Sequence, residues 1–247
     1  MLKNFKADLH IHTCLSPCSE LEMSPLSIVE KASEKGLDII AITDHNSAEN
    51  VVAAQRAADN LNLTVLSGME VSSTEEAHII ALFEGAEEAL ALQNEVYENL
   101  MTGENDEKRF GDQIVVNEKD EVMGFNKRLL IASTSLTAHD IVNKVHSLGG
   151  IAIASHIDRD FFSILSQLGF IPEDLHFDSL EISRQIRREQ AEELYKNYRS
   201  YTWISASDAH RLEDIGKRST IFLMREPAFE EIRLALQNKE GRQAKWE

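Results

Sequence analysis

The chain has 247 residues, with 42 acidic and 25 basic side chains, and its formal charge is −17 with the histidines neutral. Hydrophobic residues make up 43% of it, enough to bury a core at this length, which excludes a wholly disordered chain. The acidity disfavours a long nucleic acid as a partner, because binding a polyanion normally needs a basic face. Small anions, or anions met by bound cations, are compatible with this charge.

No uninterrupted apolar stretch approaches the roughly 20 residues that cross a bilayer, and residues 1–6 lack the apolar segment of a signal peptide. We therefore expect a cytoplasmic protein with no membrane partner. Two cysteines, Cys14 and Cys18, are too few for a disulfide framework and are predicted to be reduced thiols or a ligand. The sequence does not indicate an oligomeric state.

Short β-branched runs alternate with amphipathic segments along the chain. The predicted strands are 5–11, 38–43, 64–67, 79–83, 151–155, 179–182, 202–205 and 220–224. The predicted helices are 25–35, 48–61, 87–101, 138–148, 160–168, 187–199 and 229–238. Ser24 and Thr137 are predicted N-caps. This strand and helix order predicts an α/β fold with a mostly parallel sheet, and the number of units favours a closed or nearly closed barrel in one domain, 1–247.

Residues 102–135 interrupt this rhythm with a polar stretch. Within it, residues 117–121 separate two short apolar runs, 113–116 and 122–125, which predicts a β-hairpin carried by an insertion. Such an insertion is either a surface loop or a flap that selects substrates. Because it precedes the strand at 151–155, it could reach over the barrel mouth and influence substrate choice.

Histidine and carboxylate positions point to a metal site. Alternation along the first strand places Asp8, His10 and His12 on one face. Two histidines at i and i+2, preceded by a carboxylate, favour metal binding, with Asp8 orienting an imidazole.

Other polar residues follow apolar runs directly, at the strand ends where barrel enzymes assemble their active sites. These residues are His45, Glu70, His156, Asp208 and His210. His78 instead precedes its strand, and it joins the site if that strand returns as a hairpin from residues 70–73. Three further histidines are expected at the surface, namely His139, His146 and His176.

Together these motifs resemble the PHP family, named for polymerases and histidinol phosphatases. The resemblance is carried by Asp-Leu-His-Ile-His-Thr at 8–13, Thr-Asp-His at 43–45, Gly-Met-Glu-Val at 68–71, His78, Ser-His at 155–156 and Ser-Asp-Ala-His at 207–210. It extends from the first strand to about residue 218 and implies a distorted (β/α)7 TIM-like barrel that hydrolyses phosphoesters with two or three divalent metal ions.

The resemblance also implies three groups of metal ligands. The first consists of His10, His12, Glu70 and Asp208, and the second of Glu70 as a bridge with His78 and His156. The third contains His45 and His210, to which family members usually add an Asp or His shortly after the first strand. Here residues 16–20 read Ser-Pro-Cys-Ser-Glu, so Cys18, Glu20 or Glu22 must complete it, and Glu20 is preferred. Zinc, manganese and iron all suit such ligands.

Two cations roughly 3.5 to 4 Å apart can share a bridging hydroxide and clamp phosphoryl oxygens during in-line attack. We therefore predict a phosphatase for a small phosphomonoester, such as a nucleotide or a histidinol-phosphate-like metabolite. Its expected catalytic residues are Glu70, Asp208 and His210, and its expected phosphate-binding residues are Arg159, Arg184 and Arg211. The alternatives are an amidohydrolase-like activity, a nuclease, and a non-catalytic module that binds metal or phosphate and regulates a partner.

Overall fold

The computed structural model describes residues 1–246. The strands are β1 (Lys3–Ile11), β2 (Ile39–Ile42), β3 (Thr64–Ser72), β4 (His78–Phe83), β5 (Ile114–Val116), β6 (Val122–Phe125), β7 (Ile151–Ala154), β8 (Ser179–Ile182), β9 (Trp203–Ser205), β10 (Thr220–Met224) and β11 (Gln243–Trp246). The helices are α1 (Pro25–Glu34), α2 (Val51–Ala57), α3 (Ala86–Asn99), α4 (Glu107–Phe110), α5 (Ala138–Ser147), α6 (Ile164–Leu168), α7 (Arg188–Leu194) and α8 (Phe229–Leu236).

Both predicted N-caps are confirmed. The Ser24 hydroxyl accepts the Ser27 N–H at the start of α1, and Thr137 forms a capping box with Asp140 at the start of α5. The predicted helices at 48–61 and 187–199 are shorter in the structure, and the second is followed by a 3-10 turn at Lys196–Tyr198. Strand β11 was not predicted.

The main sheet has the order β11-β10-β1-β2-β3-β4-β7-β8-β9. Neighbours are parallel in β1-β2-β3 and β7-β8-β9, whereas β3-β4, β4-β7, β1-β10 and β10-β11 are antiparallel. The expectation of a mostly parallel sheet is therefore wrong. Only five residues connect β3 to β4, too few for the crossover that a parallel pair needs.

The two ends of the sheet approach each other. Beyond β9, Ala209 forms a parallel bridge with Ile11 of β1, and its carbonyl accepts the His12 N–H at 3.0 Å. At the end of β9, the Ser205 N–H donates to Thr220 Oγ1 at 2.9 Å. These contacts close the sheet almost completely, which confirms the predicted α/β barrel.

Two buried apolar clusters lie on the two sides of the sheet. One packs the strands against α1, α2, α3 and α5, and the other joins alternate strand residues to α8 inside the barrel. Helix α8 covers the ends where parallel strands begin, because Arg233 donates to Gly150 O before β7 and Leu236 O accepts from Thr202 before β9. The opposite ends, where those strands finish, form the mouth.

The segment at 102–135 contains the predicted hairpin, with β5 antiparallel to β6. Residues of this segment form hydrogen bonds with the loops that follow β1 and β2. Ile114 N–H donates to Cys14 O at 3.0 Å, Val116 N–H donates to Asn50 Oδ1 at 3.0 Å, and Asn46 Nδ2 donates to Leu130 O at 2.8 Å. The insertion thus lies beside the mouth.

The longest helix in residues 1–246 is α3, with 14 residues. None of the helices described there has the length and apolar character that crossing a membrane requires.

Gly68 of β3 lies where three strands crowd together. A Cβ at this position would lie 2.7 Å from Ala81 O and 3.1 Å from Ile42 O, both backbone atoms. We expect Gly68→Ala to lower the free energy of unfolding by about 1–3 kcal/mol through overpacking, measured by urea denaturation. Gly124→Ala in β6 is the matched control, because a Cβ there has no atom within 4 Å. Equal stability of the two variants would contradict the close approach.

Candidate metal centre

Glu70, at the mouth on β3, has a carboxylate that is 1% exposed. Its Oε1 lies 3.4 Å from His10 Nε2, 3.2 Å from His78 Nδ1 and 3.2 Å from His156 Nε2. The pairing of Ser72 with His78 confirms the hairpin that was expected to return His78 to the mouth. Two strands, β1 and β4, and the segment just after β7 thus deliver imidazoles to one carboxylate oxygen.

The other oxygen of Glu70 faces a second set of imidazoles. Oε2 lies 3.2 Å from His45 Nδ1 and 3.6 Å from His12 Nε2. Backbone hydrogen bonds hold the segment around His45 against Glu70. Glu70 N–H donates to Asp44 O, and Asn46 N–H donates to Glu70 O. The two oxygens therefore point to different groups of histidines.

Asp208 supplies a second carboxylate from the loop after β9. Its Oδ1 lies 3.4 Å from the Nε2 atoms of His10 and His12 and 3.5 Å from His210 Nδ1. Three groups of side chains have ligand atoms within 4.8 Å of one another: His12, His45 and His210; His10, His12 and Asp208; and His45, Glu70 and His78. All the predicted ligands except Glu20 come together at the mouth.

Asp8 does not orient an imidazole, contrary to expectation. Strand β1 takes three residue steps from Asp8 to Ile11 where β2 takes two, so one extra residue interrupts the alternation of faces. The Asp8 carboxylate instead accepts the backbone N–H groups of Ser207 and Gly216, at 3.0 and 2.9 Å. It holds the loop that carries Asp208 against β1.

Glu181 of β8 takes the role expected of Asp8, and the sequence analysis missed it. Its Oε2 lies 3.0 Å from His10 Nδ1 and accepts the His156 N–H at 2.9 Å. A single acidic residue inside the predicted strand at 179–182 was the available signal. Buried carboxylates of this kind orient ligand imidazoles and raise their basicity.

Hydrogen bonds assign the tautomers of two ligands. Ser16 Oγ donates to Asp44, so it accepts from His12 Nδ1 at 3.0 Å, and His10 Nδ1 donates to Glu181. The Nε2 lone pairs of His10 and His12 then face each other at 3.0 Å. Two such lone pairs repel unless a proton or a cation lies between them, so this arrangement fits a metal.

The buried Nδ1 atoms of His45 and His78 have no hydrogen-bond partner, and each lies 3.2 Å from a Glu70 oxygen. An unpaired buried polar atom is costly, so these atoms also fit coordination to a cation. Imidazoles with a shared carboxylate suit zinc, manganese or iron.

The carboxylates of the centre favour positive charge at His10. Burial alone would lower the pKa of His10, but the carboxylates of Glu181, Asp208 and Glu70 hold it well above its usual range. Burial would likewise raise the pKa of Glu70, but His78 and His10 hold it well below. Burial and the charge on His210 lower the pKa of His12 to about 3. His12 is therefore a neutral imidazole that can donate a lone pair to a metal ion.

Two of the converging residues have strained backbones. His156 has φ +28° and Asp208 has φ +50°, backbone angles that residues other than glycine rarely adopt. The Asp208 carbonyl also lies 2.9 Å from His210 Nδ1. Strain of this kind concentrates at functional sites, where the surrounding structure fixes it.

Glu20, the preferred third ligand of the third group, is not brought to the cluster. Its half-exposed carboxylate lies 2.9 Å from Arg211 Nε, which satisfies its charge away from the imidazoles. Cys18 and Glu22 are exposed, and neither joins a ligand group within residues 1–246. The prediction of Glu20 is corrected accordingly.

The three arginines expected to bind phosphate are paired with carboxylates. Arg159 Nη2 lies 2.5 Å from Asp208 Oδ2, at the centre itself. Arg184 pairs with Asp214, whose pKa it lowers to about 2, and Arg211 pairs with Glu20. Their binding of phosphate stays a prediction.

The surface histidines lie as expected. His139 and His146 are paired with Asp174 and Asp178 at the surface, and His176 is exposed.

The model of the PHP domain family matches residues 8–236, and the chain belongs to this family. An uncharacterized protein of Methanocaldococcus jannaschii is 35% identical over 86 residues, which cover 32% of this chain and 50% of that protein.

Two solved structures share the fold. A lesion-specific endonuclease from Pyrococcus furiosus has a TM-score of 0.75 and 18% identity, covering 98% of this chain and 58% of that one. A protein from Bifidobacterium adolescentis, described as a metal-dependent phosphoesterase, has a TM-score of 0.61 and 18% identity, covering 94% and 96%. The chain thus spans little more than half of the endonuclease.

Glu181→Gln should weaken metal binding about 10- to 100-fold, because the amide keeps the shape but loses the charge that orients His10. Calorimetric titration with zinc measures the affinity, and circular dichroism checks the fold. Glu230→Gln, at an exposed position on α8, is the matched control. Unchanged zinc affinity in Glu181→Gln would show that Glu181 does not tune the centre.

Glu20→Ala should bind as many equivalents of metal as the parent protein, because its carboxylate pairs with Arg211. Elemental analysis after dialysis against zinc or manganese counts the equivalents, with His45→Ala as the comparison expected to lose metal. Loss of one equivalent in Glu20→Ala would restore Glu20 as a ligand.

Proposed function

We propose that this protein is a metal-dependent phosphoesterase that hydrolyses a small phosphomonoester. The observation that carries the proposal is the convergence of Glu70 and Asp208 with the imidazoles at the mouth, including the Nε2 atoms of His10 and His12, which face each other at 3.0 Å. Membership of the PHP domain family supports it.

The chain's own groups suit phosphoryl transfer. Bound divalent cations supply charge neutralisation at the phosphoryl oxygens and a water of lowered pKa. Glu70 presents its two oxygens to different histidine groups, as a bridging carboxylate does. Arg159 places a guanidinium beside Asp208, where it can stabilise charge that develops on the phosphoryl group.

His210 is suited to handle a proton. Its side chain is 26% exposed, so it contacts solvent at the mouth. Its Nδ1–H donates to the Asp208 carbonyl, which leaves Nε2 to carry the proton that is transferred. We assign it the protonation of the departing alkoxide.

A phosphodiesterase or nuclease is the second candidate. The likeness to a lesion-specific endonuclease over 98% of this chain favours it. The net charge of −17 opposes it, because a long polyanion is repelled beyond the local field of the site. The same charge affects a compact monoester much less.

The insertion is proposed to select the ester. Its hairpin bonds to Cys14 and Asn50, beside the loops that carry His12 and His45. An element in this place contacts the part of a substrate that projects from the mouth.

The test uses protein stripped with a chelator and reloaded with manganese, zinc or iron. We expect reloading to restore hydrolysis of adenosine 5′-monophosphate and p-nitrophenyl phosphate, and Glu70→Ala to abolish it because that carboxylate faces both histidine groups. Bis-p-nitrophenyl phosphate and single-stranded DNA represent the second candidate, and Glu230→Gln is the control.

Equal hydrolysis by stripped and reloaded protein would contradict metal dependence. Faster cleavage of the diester or of DNA than of the monoesters would instead establish the second candidate.

A further inference from the structure

Phe162 lies in the loop between β7 and α6, next to a predicted metal ligand. Its ring stacks on the imidazole of His78, with ring centroids 4.8 Å apart and planes 15° from parallel. Nevertheless, 48% of Phe162 is exposed to solvent. The ring therefore covers a group of the metal centre and also presents apolar surface at the mouth.

The backbone at Phe162 is strained. Its φ is +61°, a conformation that is an outlier for a bulky side chain. The Phe162 carbonyl accepts the His78 N–H at 2.9 Å, which fixes the loop against β4. Strain fixed in this way persists mainly at catalytic and ligand-binding sites.

Exposure alone would carry no argument, because single exposed aromatic residues are common on protein surfaces. Phe170 is more exposed, at 59%, but its φ is not positive and its ring has no stacking partner among the residues described. Phe162 differs in both respects. The same loop also brings Arg159 to Asp208. The Phe162 ring and the Arg159 guanidinium therefore lie beside one centre.

We propose that Phe162 is a stacking platform for an aromatic ring of the substrate, the base of a nucleotide whose phosphate is held at the metal centre. Aromatic side chains bind bases through their faces with little regard to base identity. This inference rests on the proposed function and narrows its substrate class. A phosphate ester with an imidazole ring shares the chemistry, and the experiment separates the two.

The experiment measures equilibrium binding by calorimetry to the metal-loaded protein. Its probes are hydrolysis-resistant phosphonate analogues of adenosine 5′-monophosphate, of histidinol phosphate and of ribose 5-phosphate. We expect the parent protein to prefer the adenosine analogue over the ribose analogue by about 5- to 150-fold, the range of one base on an aromatic side chain.

Phe162→Leu should remove most of that preference, and Phe162→Trp should retain it. Leucine keeps apolar bulk against His78, and metal content is measured for each variant. Phe170→Leu is the matched control and should keep the preference of the parent protein.

An unchanged preference in Phe162→Leu would overturn the proposal. So would an equal loss of affinity for the adenosine and ribose analogues together with loss of metal, because Phe162 would then only support His78. A larger preference for the imidazole analogue than for the adenosine analogue would overturn the choice of a nucleobase.

Hydrolysis assays separate this inference from the proposed function. If the parent protein prefers the adenosine analogue but hydrolyses no ester with any metal, the proposed function fails and the platform stands. If it hydrolyses adenosine and ribose phosphates but binds their analogues without preference, the platform fails and the proposed function stands.

Discussion

The buried carboxylate of Glu70 is the group on which the architecture of the mouth depends. A carboxylate removed from water needs compensating partners, and here these partners come from separate strands. They are His10 on β1, His12 just after β1, His45 after β2, His78 on β4 and His156 after β7. Because no single element supplies them, the sheet must curl until these strand ends meet. Closure of the barrel and assembly of the centre are therefore one geometric requirement.

Much of this centre could be predicted, because its residues follow rules that act along the chain. Alternation on β1 indicated His10 and His12, and the position of Glu70 and His156 at strand ends indicated a common face. His78 required one further step, a hairpin, which the pairing of Ser72 with His78 confirms.

The rest depended on geometry that a linear pattern does not encode. One extra residue in β1 turned Asp8 toward the Ser207 loop, and an orienting carboxylate came from Glu181, 171 residues away from His10. Glu20 follows the first strand closely, yet Arg211 draws its side chain away from the histidines. Spacing predicts which residues are near in sequence, whereas these pairings arise between loops that only the closed barrel brings together.

Two acidic residues, Asp8 and Asp44, are fully buried close to the metal centre. Burial raises the pKa of Asp8 and of Asp44 to about 6. A carboxyl with a raised pKa in the folded state favours folding most when protonated, so its contribution is full below its unfolded value near 3.8 and is lost as the pH rises through about 6. At neutral pH, the hydrogen bonds to Asp8 and Asp44 thus hold costly negative charge behind the histidines. That charge makes the mouth attractive to cations, which offset the cost when they bind and couple metal binding to the stability of the barrel.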